Sequence, residues 1–386
     1  MTRVLERPRT GPAAHALVIG AGDYPHLNGG VGPLTPDHEG MGQLGSPPVS
    51  ARAICDWLGS EFHHSDKPLA SVRLLLSDPT DQRYTAPGTA TTHTVDRAEI
   101  GPVTTAVGEW FADGDTDEEN LLLFYFCGHG IAQGTEYALL LSDFGRDPGN
   151  SLDGAVDFHK LHLGMGACKA ARQCYFVDAC RSSSDQLIAT EGYAGRVLRQ
   201  PRPRPRSLAL LEAPIYYATL GGHEAYARTG QVSVFTDALL RGLCGLGADD
   251  AEGDWRVDTT TLQKALGFCM GLAFDAGGRR VQVPQSGSQS TFFLNYLDHD
   301  PQAPVLVGCD PDDAIAEADL SCTDRNGAVI SQRPPSGLPE PAYWRVDLPA
   351  GRYEFEASFP GGGRRSRQKS ATVRPVYRRI TLEVSS

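Results

Sequence analysis

Along the first half of the chain, uninterrupted apolar runs occur at 15–20 (HALVIG), 121–126 (LLLFYF) and 175–177 (YFV), and 71–77 (SVRLLLS) adds a run that admits one arginine. Strands without a polar alternate are buried on both faces, the pattern of a parallel sheet. Between the runs, 49–58 (VSARAICDWL) and 95–111 place apolar residues at helical spacing, so the order reads β-α-β-α-β. Such alternation predicts a mainly parallel sheet with right-handed crossovers and helices on both faces. The Gly- and Pro-rich stretch 28–48 and the polar stretch 80–92 predict surface loops.

Further on, 136–141 predicts a short strand, 157–163 the start of a helix, 214–220 a strand and 233–243 a helix. The segment 182–212 breaks this rhythm. Its centre, 195–208 (GRVLRQPRPRPRSL), is dense in arginine and proline, and proline cannot donate to a ladder, so an exposed, extended loop is expected. From about residue 301 the texture changes to short runs at 305–307, 344–348, 353–357 and 379–384, several alternating, with Gly and Pro turns between them. That pattern predicts a small all-β, sandwich-like module. The expected layout is an α/β domain over 13–296, with an Arg/Pro-rich linker at 185–212, followed by a β domain over 303–386.

Composition narrows the function. With 386 residues, 40% of them hydrophobic, the chain has ample material for a core. No apolar run approaches the roughly 20 residues that span a bilayer, and the basic N-terminus runs directly into a strand without a leader pattern; a cytoplasmic protein that does not engage membranes is expected. The net charge of −12 argues against a nucleic-acid partner and favours a basic ligand. Nine cysteines, an odd number scattered over the chain, read as reduced thiols, and the six-residue recurrence of Cys168, Cys174 and Cys180 is no zinc spacing, so no metal is expected. The turn after the first strand has proline at position 25, where a dinucleotide fingerprint needs its third glycine.

Two run ends carry chemistry. The run at 175–177 stops at Asp178-Ala179-Cys180-Arg181, and the run at 121–126 stops at Cys127-Gly128-His129-Gly130. In an open α/β sheet the working groups gather beyond the carboxyl ends of parallel strands, so His129 and Cys180 are expected in one crevice. His129 lies about 50 residues upstream of the cysteine, and this spacing, with FYFCGHG at 124–130 and DACR at 178–181, resembles the caspase and metacaspase superfamily of cysteine peptidases. The resemblance covers about residues 13–296.

The resemblance implies a caspase-like α/β fold and peptide hydrolysis in which Cys180 attacks as thiolate and His129 moves the protons. It also implies an oxyanion hole from the backbone NH groups of Gly130 and Cys180. Relatives that cut after basic residues place an acid two positions before the nucleophile, where Asp178 stands; a buried carboxylate favours arginine over lysine through paired hydrogen bonds. Asp23 and Glu224 are further candidate pocket acids, and Asp23 reads equally as a turn residue. Arg196, Arg199 and Arg206 are candidate processing sites, cut by the enzyme itself or an upstream protease, while Cys127 reads as a packing residue. Protein or peptide substrates are expected, and no cofactor; some metacaspase relatives need calcium, but the acidic segment 113–119 reads as easily as a solvated turn. Bacterial members often serve in signalling, cell death or defence. The rival reading is a catalytically silent interaction module on the same fold, and oligomeric state stays open.

Overall fold

The computed structural model describes residues 3–133, 136–180, 195–201, 211–218, 230–250, 253–275, 285–286, 290–338 and 342–385. They fall into two compact units: Met1–Leu240 with Leu266–Asn295, and Arg241–Ala265 with Tyr296–Ser386. The stretch 241–265 thus groups with the C-terminal strands, and the N-terminal strand Arg3–Glu6 with the first unit.

The first unit is built on a seven-stranded sheet. Its elements in chain order are β1 (Arg3–Glu6), β2 (Ala14–Ala21), helix α1 (Ser46–Ser60), β3 (Leu69–Ser77), the hairpin β4 (Arg83–Thr85) and β5 (Thr92–Thr94), α2 (Ile100–Gly114) and β6 (Leu121–Gly128). There follow β7 (Gly130–Gln133), β8 (Glu136–Leu140), β9 (Ala155–Asp157), α3 (Phe158–Met165), β10 (Arg172–Ala179), β11 (Ile215–Tyr217) and α4 (Val234–Arg241). Beyond the short pair β12 (Ala248–Asp249) and β13 (Arg256–Asp258), which belong to the second unit, lie α5 (Thr259–Asp275), β14 (Gln285–Ser286) and β15 (Phe293–Tyr296). The sheet order is β1-β3-β2-β6-β10-β11-β14; the five inner strands are parallel and the two edge strands antiparallel. This is the mainly parallel α/β sheet that the unbroken apolar runs predict.

Alternation within those runs sorts the helices between two faces. Leu17, Ile19, Phe124, Phe126, Tyr175 and Val177 point into one core with Val103, Val107 and Trp110 of α2 and Leu161 of α3. The opposite face takes α1 and α4. There Ala51 of α1 closes so tightly on Gly20 that a Cβ on that glycine would lie 2.8 Å away. Tyr125 meets Thr236 of α4 through a 2.6 Å hydrogen bond.

Two expectations shift locally. The helix expected from residue 95 starts at Ile100, because 95–99 run extended beside the end of β3: Ala98 donates to Leu76 O at 3.2 Å, and Leu76 donates to Asp96 O at 3.1 Å. Part of the linker expected to be exposed and extended is docked. Arg196 donates from its backbone to Ala155 O at 2.6 Å and accepts from Asp157 N at 3.1 Å, the pairing of an added strand beside β9. Gly195 permits the approach, since a Cβ there would lie 2.7 Å from the Ala155 backbone.

The second unit carries β16 (Gln302–Asp310), β17 (Asp319–Asp324), β18 (Val329–Arg333), β19 (Trp344–Pro349), β20 (Gly351–Ser358), β21 (Arg367–Val373) and β22 (Arg378–Glu383). They form two sheets, β19-β16-β22 and β18-β17-β20-β21, around one core that includes Val305, Val307, Leu320, Phe355, Ile380 and Leu382.

Candidate active site

The register of two central strands sets the site. β10 pairs with β6 in parallel without a slip, from Arg172 opposite Leu121 to Ala179 opposite Gly128. Continued by one residue, that register puts Cys180 opposite His129, at the carboxyl ends of neighbouring strands. Residues about 50 positions apart in sequence thus become lateral neighbours, and no charged pair is needed to bring them together.

His129 is held from three sides. Its Nε2 lies 2.7 Å from the carbonyl oxygen of Gly42; a carbonyl only accepts, so Nε2 carries the proton and Nδ1 is left as the basic nitrogen. Its backbone N–H donates to the Tyr24 phenol at 2.9 Å, and the Tyr24 ring packs against the imidazole with centroids 4.8 Å apart. Burial holds the imidazole below its ordinary value, against the opposing effect of the Gly42 bond. A neutral ring suits a group that must take and return a proton near pH 7.

Cys180 is half-buried and closes the end of β10. Its carbonyl accepts from the Tyr137 phenol at 2.9 Å. Gly130 presses against the same carbonyl: a Cβ on it would stand 2.7 Å from Cys180 O and 2.7 Å from the Tyr137 oxygen. Only glycine fits here, and the contact brings together the backbones of the two residues expected to form the oxyanion hole.

Asp178 lies two residues before the cysteine and is 3% exposed. Its Oδ2 accepts from Cys127 Sγ at 3.4 Å, from Thr236 Oγ1 at 2.8 Å and from Ser233 Oγ. Because the Thr236 hydroxyl is spent on the carboxylate, the Tyr125 phenol, 2.6 Å away, donates to Thr236 in turn. Burial pushes the Asp178 carboxyl above the usual range, opposed by these hydrogen bonds from Ser233, Thr236 and Cys127. Every listener to this carboxylate among the described residues is a neutral donor. Cys127 is buried, its thiol pushed up by burial and by the nearby carboxylate, so it serves as a donor and packing group.

The other sequence candidates separate. Asp23 faces Arg97, whose Nη2 is 2.6 Å from its Oδ2, and Arg97 is also bound by Ser142 Oγ at 2.7 Å and Glu99 at 3.1 Å. Its charge is answered inside the chain. Arg196 bonds Asp153 at 2.7 Å in addition to its backbone pairing, and the Arg199 guanidinium lies 3.6 Å from the Phe111 ring centroid. Glu224 and Arg206 lie outside the described residues.

Sequence reasoning missed Tyr24, Gly42, Tyr137, Ser233 and Thr236. Tyr24 and Gly42 sit in stretches that read as a turn and a loop, and Ser233 and Thr236 at the start of an ordinary amphipathic helix. Their roles are tertiary, and no spacing announces them.

Residues 13–285 match the family model described as Caspase domain (Peptidase_C14), so the chain belongs to the caspase domain family, a family of cysteine peptidases. Among curated proteins it is similar to the uncharacterized protein y4kE of Sinorhizobium fredii (strain NBRC 101917 / NGR234), 30% identical over 213 residues, which are 53% of this chain and 58% of that protein. The match therefore spans little more than half the length of that relative. Two solved structures are similar at lower identity. Protein GSU0716 from Geobacter sulfurreducens is 16% identical with a TM-score of 0.43, covering 74% of this chain and 97% of that one. Caspase-1 from Spodoptera frugiperda is 14% identical with a TM-score of 0.42, covering 76% and 97%.

Proposed function

We propose that this chain is a cysteine endopeptidase that cuts after arginine, with Cys180 as nucleophile and His129 as acid and base. The observation that carries the specificity is the setting of Asp178: a buried carboxylate beside the nucleophile, held by Cys127, Ser233 and Thr236, with no cationic partner among the described residues. An isolated buried anion is costly unless something compensates it. A guanidinium from the substrate would supply that compensation at the floor of the pocket, whereas Asp23 already has Arg97.

In the proposed reaction the Cys180 thiolate attacks the scissile carbonyl, and the Gly130 and Cys180 N–H groups receive the developing oxyanion. His129, with Nε2 committed to Gly42 O, works through Nδ1: it protonates the leaving amine, then deprotonates the water that releases the acyl group. No cofactor takes part. Substrates are proteins or peptides with an accessible arginine, and by family resemblance the enzyme serves a bacterial signalling, cell-death or defence cascade in the cytoplasm. Maturation by cleavage within 185–212, at Arg196, Arg199 or Arg206, belongs to the same proposal.

The test uses fluorogenic peptides ending in arginine or aspartate, the Cys180→Ala variant, and a gel that follows chain integrity. Cleavage after arginine, abolished in the variant, is the expected result. Cleavage after aspartate would keep the dyad and overturn the pocket assignment. Inertness toward both peptides, before and after cutting the 185–212 loop with an added protease, would favour the silent interaction module.

A further inference from the structure

We infer that Tyr24 and Tyr137 are positioning residues, joined through strand β8, that fix the main chains of the two catalytic groups relative to each other. The inference rests on the Cys180–His129 reading above.

Both phenols are buried, at 0% and 3% exposure, and each spends its hydroxyl on backbone. The Tyr137 hydroxyl donates to Cys180 O at 2.9 Å. The Tyr24 hydroxyl accepts from His129 N at 2.9 Å and donates to Leu140 O at 3.1 Å. Leu140 closes the loop, because its own N–H donates to His129 O at 3.0 Å. Tyr137 and Leu140 stand on the same strand, β8, so one short strand grips the nucleophile through one residue and the base through another.

The surroundings are shaped for this grip. Gly128 and Gly130 flank His129, and a Cβ at Gly128 would lie 2.8 Å from the Tyr24 hydroxyl, just as one at Gly130 would crowd the Tyr137 hydroxyl. Tyr137 is itself wedged by Phe158 and Tyr217, with ring centroids 6.1 and 5.7 Å away. β8 in turn pairs with β9, to which the Arg196 segment is added. Neither phenol is placed to touch a peptide; each acts through the backbone of a residue that does. Positional errors of an ångström at a reacting pair are costly in rate, so the effect belongs in turnover more than in substrate binding.

The readout that separates positioning from plain stability is the rate per reactive site. Tyr24→Phe and Tyr137→Phe are compared with wild type and with Tyr84→Phe, which removes a buried phenol bonded to Asp56 at 2.9 Å, away from the site. Active sites are titrated with a peptidyl-arginine chloromethyl ketone, which forms a thioether at Cys180 with loss of chloride. Each site variant should lower kcat per titrated site about tenfold with KM within about twofold, and Tyr84→Phe should change neither.

The pH profile adds a second axis. Among the described residues Tyr24, the Gly42 carbonyl and the end of β10, where Cys180 stands, face His129; burial lowers its proton affinity against the opposing effect of the Gly42 bond, and the Cys127 and Cys180 thiols lie near Tyr24. Loosening the ring in Tyr24→Phe should raise the acid limb of kcat/KM toward the ordinary histidine value, whereas Tyr137→Phe should leave that limb in place. Wild type that reacts while both variants keep its per-site rate and profile would overturn this inference alone. Wild type whose Cys180 reacts neither with this reagent nor with its peptidyl-aspartate counterpart, before or after cutting the 185–212 loop, would overturn the peptidase reading and this inference with it.

Discussion

The two ends of the central sheet bury charge in opposite ways. At the amino end, Arg73 is fully buried on β3 and answered by carboxylates: Asp113 at 2.6 Å and Glu109 at 3.1 Å from α2. Asp113 also accepts from Ser71 at 3.0 Å and stands 3.7 Å from His15. At the carboxyl end the donors to the buried Asp178 among the described residues are hydroxyls and a thiol. The first charge is met by carboxylates of the chain, although Arg73 Nη2 is buried without a hydrogen-bond partner, while Asp178 meets no cation among the described residues. A fold dominated by fully buried strands can afford few such anions, and this one lies two residues from Cys180.

Replacing Asp178 by asparagine should give the largest effect. The amide keeps an acceptor for Ser233 and Thr236, so the fold should persist, while an arginine side chain loses its buried countercharge. By the usual cost of breaking a buried pair, kcat/KM for an arginine peptide should fall about a hundred- to a thousandfold. A citrulline peptide, neutral and nearly isosteric, should be cut equally by both enzymes. If the variant still preferred arginine to citrulline, the contrast between the two ends would lose its functional meaning.

Acid should strain both ends. Burial lowers the proton affinity of His15 near the amino end, of His129 at the carboxyl end, and of His162 and His64, the last to about 4. Between about pH 6.5 and those lowered values the unfolded chain binds protons that the folded chain refuses, so stability falls as pH falls. His64 alone is worth roughly 3 kcal/mol once pH drops below its folded value. Asp178 opposes the trend, because a raised carboxyl binds its proton preferentially in the folded state. Urea midpoints measured from neutral pH to about pH 4 should decline; a flat profile would contradict the buried neutral histidines.

Asp113→Asn isolates the amino end. Arg73 would keep Glu109 but lose its shortest partner, and because Asp113 is partly exposed the cost should be about 2 kcal/mol, below that of a fully buried pair. Denaturant unfolding reads the loss. Turnover per titrated site should stay at the wild-type value, in contrast to Asp178→Asn.

These contrasts mark how far the sequence could be read. Apolar runs announced the central strands because burial on both faces leaves no polar alternate, and β2 is indeed buried at every position. That Cys180 and His129 stand at neighbouring strand ends was legible because each follows such a run. The edge strand β1, half-exposed and four residues long, carries no comparable signal. Nor did the docking of Arg196: a stretch beside repeated prolines reads as extended in either case, and only Gly195 against Ala155 and Asp153 beneath the guanidinium decide that it is bound. Asp178 could be read as an acid two residues before Cys180, but its neutral donors Cys127, Ser233 and Thr236 come from distant stretches of the chain.

Those donors set the smallest and most discriminating effect. Ser233 Oγ gives a hydrogen bond to Asp178 and takes one from Thr236 N at 3.0 Å, so Ser233→Ala removes one of the three hydrogen bonds that oppose the effect of burial on the carboxyl. A hydrogen bond to a charged group is worth about 1.5–3 kcal/mol, which predicts a loss of roughly tenfold or more in kcat/KM for arginine peptides. The Asp178 carboxyl would also rise further, so the loss should grow as pH is lowered. Combined with Asp178→Asn the serine change should cost little more, since its target is gone. Full additivity of the two substitutions would mean that Ser233 acts on the fold and not through the carboxylate, and the pocket would then have to be sought away from Asp178.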